Sequence, residues 1–202
     1  MPAYRDWLFS DGLDVSSTYD YHKRFLQLLQ ADAPGTWNLK MPSHGLYLEA
    51  LTKAYPDARL VWTHRDPLTA TGSFCSLMSL SHRSSMGRID TAWLAENYPW
   101  QAVRHADRIM DFRDRHGHDR IVDVHYADLM RTPIETMRKL YAALGDEFTP
   151  EAEASMQKWL DDNPQGKFGR HEYKLGEYGL TPEGVRGTFE RYLSKYDVEA
   201  EG

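Results

Sequence analysis

Cysteine is nearly absent: Cys75 stands alone in 202 residues. No intramolecular disulfide framework can form, and the expected compartment is the reducing cytoplasm. Long apolar runs are missing as well. None approaches the ~18 residues of a membrane span, and the opening MPAYRDWLFSDGLD has no signal-peptide character. Basic charge is not in excess: 24 Lys and Arg face 30 Asp and Glu, a formal net charge of −6. That excludes a general attraction to nucleic acid or anionic membrane, so any anion site has to be local. Repeats and low-complexity linkers are absent too.

Several chemistries fall for want of their residues. No Walker A pattern, GxxxxGK[ST], and no GxGxxG loop occurs. His64-Arg65-Asp66 has the letters of a kinase catalytic loop, but the position that needs a metal-binding asparagine is Thr71. The nearest approach to the metal-binding DFG is Asp111-Phe112-Arg113. His116 and His118 sit in a charged stretch with no second ligand cluster, which reads as solvated surface, and no metal is expected.

What remains is an alternation of strands and helices. Residues 18 to 30 carry Tyr21, Phe25, Leu28 and Leu29 at helical spacing. TWNLKM (36 to 41) is a short strand candidate, and SHGLYLEALTKAY reads as a helix capped by Ser43. ARLVWTHRDPLTATGSF (58 to 74) opens as a buried strand and runs straight into a helix, with Asp66 as cap and Pro67 in its first position. A long helix follows over roughly 90 to 116, with Pro99 as a kink or break. RIVDVHY (120 to 126) is a further strand, and TPIETMRKLYAALG a helix closed by Gly145. Helices over about 150 to 161 and 182 to 196 flank a polar, glycine-bearing loop. Such alternation implies an α/β fold, a parallel sheet between layers of helices. Ligands then sit outside the carboxyl ends of the strands, where Lys40, Arg65 and Tyr126 all fall.

Arg65 and Ser73 form the first candidate site. Ser73 lies about two turns into the helix that follows Arg65, so an arginine fork and a hydroxyl can grip one phosphate from two directions. Spacing alone equally allows Arg65 to be a salt-bridge partner of Asp66 or Asp123, with Ser73 a helix filler.

The residues around this pair resemble a family. LKMPSHGLYLEALTKAYPDARLVWTHRDPLTATGSF is similar to the central region of the sulfotransferases that use 3′-phosphoadenosine 5′-phosphosulfate (PAPS), particularly the bacterial branch related to tyrosylprotein sulfotransferases. VHYADLMRTPIETMRKLYAALG resembles the family's later strand, Y-x-D-L element and helix. GRHEYKLGEYGLTPEGVRGTFERYL extends the likeness towards the end. The RDP-x₅-S and LK-x-PSH elements make it specific. It implies a three-layer sandwich of the P-loop-like sulfotransferase type and transfer of a sulfuryl group from PAPS to an acceptor hydroxyl or amine. It also implies that Arg65 and Ser73 bind the 3′-phosphate, that Tyr126 lies near the adenine, and that the loop bearing Lys167 and Arg170 closes over the nucleotide. Lys40 matches the lysine near the transferring group. His44 is the first choice of general base, although a helix-start histidine is equally satisfied by backbone; His22, Glu49 and His82 come next.

One departure matters. The family's opening strand and its glycine- and Ser/Thr-rich 5′-phosphosulfate loop have no counterpart in the sequence. The expectation is therefore a single domain over 1–202, the C-terminal portion of a longer domain, prone to self-association and unable to transfer sulfate alone. A small-molecule acceptor is expected as partner. The alternatives are a module that binds an adenosine 3′,5′-bisphosphate-type nucleotide without turnover, and a partner-dependent fragment.

Overall fold

A computed structural model describes residues 2–164, 166–167 and 174–201. In chain order the elements are α1 (Pro2–Leu8), α2 (Ser16–Gln30), a 3₁₀ turn (Pro42–Leu46), α3 (Leu48–Ala54), β1 (Leu60–His64), α4 (Pro67–Met86) and α5 (Thr91–His116). A second 3₁₀ turn (His118–Arg120) leads into β2 (Ile121–His125), then α6 (Tyr126–Arg131), α7 (Pro133–Leu144) and α8 (Pro150–Asp162). A third 3₁₀ turn (Leu175–Tyr178), α9 (Pro182–Thr188) and α10 (Glu190–Lys195) complete the order. The chain divides into two compact units, Met1–Ala58 with Val103–His118, and Arg59–Ala102 with Asp119–Gly202. No helix among the described residues is long and apolar enough to cross a membrane.

The second unit holds the sheet. β1 and β2 pair in parallel, from Leu60 opposite Ile121 to His64 opposite His125. Parallel pairing needs a crossover, and α4 and α5 supply it in the sequence between the strands. Cys75, Leu94, Tyr98 and Tyr178 form a buried cluster, with Met78, Trp93 and Leu180 packed around it. The helix boundaries obey local rules. Asp66, Thr149 and Thr181 each accept a backbone N–H of the first turn, and a proline follows each of them. α7 stops at Gly145, whose φ of 74° is the left-handed region that glycine enters without Cβ strain.

In the first unit, α2 forms as its spacing predicts. Tyr19 and Leu26 are its buried residues, whereas Tyr21, Phe25, Leu28 and Leu29 face solvent. Three expectations change. Residues 36–41 form no strand: Trp37, Leu39 and Met41 alternate as a strand would, but they are exposed and no ladder partner lies among the described residues. The helix expected from Ser43 is a 3₁₀ turn followed by α3, and Ser43 is not its cap. Tyr47, with φ −133° and ψ 37°, breaks it. At Gly45 a Cβ would lie 3.0 Å from Ile109 Cδ1, so a side chain there would oblige Ile109 on α5 to shift. In the second unit, the helix over 182 to 196 divides at Phe189 into α9 and α10; Gly184 and Gly187 weaken α9. Pro99 lies inside α5 and does not end it.

Candidate active site

β1 ends at His64, and from Pro67 the chain is helical. Asp66 Oδ1 accepts the Leu68 N–H at 3.1 Å, and Pro67 takes a first-turn position where an N–H would be unsatisfied. Arg65 is thereby held at the carboxyl end of a parallel strand, the position where α/β sheets receive ligands.

Its guanidinium is engaged from two sides. Nε and Nη2 donate to Oε1 and Oε2 of Glu201, both at 2.8 Å, as a bidentate fork. The ring of Tyr126, the first residue of α6, lies 4.2 Å from the guanidinium carbon. Glu201 is tied a second time, its backbone N–H donating to Asp66 Oδ2 at 3.0 Å. The two carboxylate oxygens thus stand where two oxygens of a phosphate can stand. Ser73, half-buried, lies on α4 about 9 Å along the axis from Pro67.

Behind Arg65 the strand end is polar, with His64 enclosed and its partner Asp123 open to solvent. His64 is 1% exposed, with Nε2 at 2.7 Å from Asp123 Oδ1 and Nδ1 at 3.0 Å from the Tyr192 hydroxyl. Lys167 lies beyond α8 and reaches back to its end, Nζ donating to the Asp162 carbonyl at 2.7 Å and to Asn163 Oδ1 at 3.3 Å. Arg170 lies outside the described residues.

The first unit carries a separate cluster. His44, in the 3₁₀ turn, has Nδ1 at 2.8 Å from the Tyr19 hydroxyl. His22 Nδ1 lies 2.7 Å from the Tyr55 hydroxyl, and the two imidazole centroids are 6.1 Å apart. Burial, and then the neighbouring His22, hold His44 below the ordinary imidazole value. Burial pushes the Tyr19 phenol up to about 12, so it stays protonated at neutral pH. A half-buried imidazole that remains neutral at pH 7 is chemically suited to accept a proton. Lys40 is exposed on the irregular segment just before the turn. Burial raises the Glu49 carboxyl, but hydrogen bonds from His116 and Arg115 outweigh this and leave it lowered, a poor base. His82, in the second unit, is buried with its ring 5.4 Å from Trp93.

The model of the sulfotransferase family matches residues 2–150. The chain belongs to that family. Sulfotransferase STF9 from Mycobacterium avium is 44% identical, with a TM-score of 0.90 over 100% of this chain and 52% of its own. Sulfotransferase STF1 from Mycobacterium tuberculosis H37Rv is 33% identical, with a TM-score of 0.77 over 93% of this chain and 48% of its own. The chain thus spans about half the length of these solved structures. No curated protein sequence matches it. The α/β class, mostly helical with a small parallel sheet of sulfotransferase type, agrees with the sequence expectation.

Within this chain of the sulfotransferase family, Arg65 and Tyr126 touch, and Ser73 shares the helix that Arg65 leads into. Glu201 and Tyr192 are the residues that sequence reasoning missed. Tyr192 gives a weak signal, an aromatic near a helix end; Glu201 gives none. Arg65 pairs with a carboxylate 136 positions away.

Proposed function

We propose that this chain contributes the 3′-phosphate site and catalytic side chains of a PAPS-dependent sulfotransferase acting on a hydroxyl or amine of a small-molecule acceptor. The observation that carries this reading is the arginine fork at the end of β1, already filled bidentately by an oxyanion and backed by an aromatic ring. A carboxylate in that place is a fit test for a phosphate: the donors diverge correctly and the site tolerates negative charge.

PAPS supplies the activated sulfuryl group and a leaving group that departs as adenosine 3′,5′-bisphosphate. In this reading Arg65 and Ser73 hold the 3′-phosphate, and Tyr126 offers a stacking face. Lys167 and Arg170 add charge from the loop after α8. Lys40 stabilises the negative charge that grows on the oxygen retained by the leaving nucleotide. His44 takes the acceptor's proton, with His22 as the second candidate. The roles of Lys40 and His44 rest on the LK-x-PSH element and on the surroundings of each residue. No role in this scheme requires a metal.

Isothermal titration tests the reading. Arg65→Ala is expected to weaken adenosine 3′,5′-bisphosphate binding by about 2 to 4 kcal/mol while adenosine 5′-monophosphate binding changes little. Equal losses for the two nucleotides refute the 3′-phosphate assignment. A sulfate-transfer assay separates an enzyme from a module that binds the nucleotide without turnover.

A further inference from the structure

We infer that Tyr19 is the positioning residue of the base: its buried hydroxyl holds the His44 imidazole by Nδ1 and leaves Nε2 as the nitrogen that meets the acceptor. The inference rests on the reading of His44 as the base and adds the group that orients it.

Tyr19 lies on the covered face of α2, 5% exposed, with its hydroxyl 2.8 Å from His44 Nδ1. A buried hydroxyl costs free energy unless it is hydrogen-bonded, and phenylalanine would fill the same space without that cost. Core packing alone therefore does not account for the phenol. The turn that carries His44 is pinned without it. Arg108 on α5 donates to the Leu46 carbonyl at 3.1 Å, and the Tyr47 hydroxyl donates to the Leu8 carbonyl at 2.7 Å. The His44 backbone N–H donates to the Met41 carbonyl at 3.0 Å. With the backbone fixed, the freedom left to His44 is rotation of its side chain, and a bond to Nδ1 removes it.

A hydroxyl suits this task because it both donates and accepts. In the resting protein the Tyr19 hydrogen has one acceptor among the described residues, His44 Nδ1, so the neutral ring carries its own hydrogen on Nε2. An arriving acceptor hydroxyl needs the Nε2 lone pair for its hydrogen. The ring hydrogen, exchanged through solvent, then stands on Nδ1 and donates to the Tyr19 oxygen, whose own hydrogen turns aside. Uptake of the acceptor's proton at Nε2 gives an imidazolium with two N–H groups, and Tyr19 still receives the one on Nδ1. The ring is held in all three states. A carboxylate in that place would serve the last two only and would favour the cation at neutral pH. The phenol adds no charge, and His22, with its ring centroid 6.1 Å away, also disfavours the His44 cation.

Tyr19→Phe removes the hydroxyl and keeps the ring. Tyr55→Phe is its matched control, because the Tyr55 hydroxyl stands 2.7 Å from His22 Nδ1 in the same cluster. Ring ¹⁵N spectra of the labelled full chain at neutral pH should show wild-type His44 as a single tautomer with its hydrogen on Nε2. Tyr19→Phe should give a mixture of both tautomers at His44. Tyr55→Phe should move the His22 signals and leave those of His44 in place. His44 signals unmoved by Tyr19→Phe, or moved equally by both variants, overturn the inference. In a loop-containing form that transfers sulfate, Tyr19→Phe should lower kcat about tenfold with the acceptor KM unchanged. His44→Ala separates the two levels. If it loses the transfer rate while Tyr19→Phe keeps it, the positioning role alone fails. If His44→Ala keeps the rate, the base reading fails and the positioning role falls with it.

Discussion

In the proposed reading the Glu201 carboxylate and an incoming phosphate compete for the Arg65 guanidinium, so removing the carboxylate's charge should tighten anion binding. Glu201→Gln is the cleanest perturbation. It keeps the side-chain length and the backbone N–H that donates to Asp66 Oδ2, so the tail stays anchored, but it removes the negative charge from the fork. At an effective dielectric near 20, two unit charges about 4 Å apart attract by about 4 kcal/mol. Much of that is offset by desolvation and by water returning once the pair opens. The partners' side chains are 37% and 26% exposed, well short of a buried pair. Exposed pairs contribute about 0.2 to 1 kcal/mol; the bidentate geometry and the Tyr126 face place this one at or somewhat above the upper end. Opening it should therefore cost about 1 to 1.5 kcal/mol, and Glu201→Gln should bind adenosine 3′,5′-bisphosphate about five- to tenfold more tightly.

Glu199→Gln is the matched control. Its carboxylate binds Arg131 at 2.7 and 2.8 Å, and both side chains are more than half exposed. The two substitutions change net charge equally, so a general electrostatic effect moves both variants together and fades with salt. Competition at the fork moves only Glu201→Gln, and the gain vanishes in an Arg65→Ala background. Titration calorimetry on the wild type, Glu199→Gln, Glu201→Gln, Arg65→Ala and the Arg65→Ala/Glu201→Gln double variant decides it. Equal gains for Glu199→Gln and Glu201→Gln, or a gain that survives Arg65→Ala, would refute the reasoning.

In a loop-containing form that transfers sulfate, Lys40→Ala should lower the chemical step by on the order of 10²- to 10³-fold with nucleotide affinity nearly unchanged; a matching loss of affinity would make Lys40 a binding residue. His44→Ala should cost about 10²-fold. Because burial disfavours its cation, His44 stays neutral to below the ordinary value of 6.5, so the wild-type rate should hold through neutral pH and fall only below 6.5; an acid limb above that value counts against His44 as the base. Cys75 is 0% exposed and burial pushes its thiol up to about 11, so a thiol reagent should label it only as the chain unfolds. Exposed Tyr21, Phe25, Leu28 and Leu29 on α2 should drive concentration-dependent association, which sedimentation velocity would show being reduced by Phe25→Glu with Leu29→Lys.

Much of the local structure was legible because its causes are local. Asp66 before Pro67 announces a helix start, and the cap bond and the proline position follow from those two residues alone. Gly145 marks the end of α7 for an equally local reason, the left-handed conformation. The runs LVWTH at 60 to 64 and IVDVH at 121 to 125, with their β-branched and aromatic residues, read as strands, and both find a ladder. Segment 36–41 carries the same alternation, yet a strand is a property of two segments. Without a partner among the described residues, Trp37, Leu39 and Met41 only mark one face of the segment. Helix α2 makes the same point: its period is intrinsic, but which face is covered depends on the neighbours, and Tyr19 and Leu26 are the covered ones.

The Arg65 site divides along the same line. An arginine at a strand's carboxyl end, with a helix starting two residues later, follows from adjacent residues, and the sulfotransferase elements around it are local as well. Its partners are not. Tyr126 arrives with the second strand and Glu201 with the tail beyond α10. Two segments far apart in sequence converge on one residue only after the parallel pair has formed, because that pairing sets His64 opposite His125 and Arg65 beside Tyr126. Arg65, the residue proposed to bind the anion, can therefore be read before folding, whereas the groups that meet it are products of the fold. Substitution at Glu201 should accordingly change how well Arg65 holds an anion without changing which anion it prefers, and substitution of Arg65 itself should change the preference.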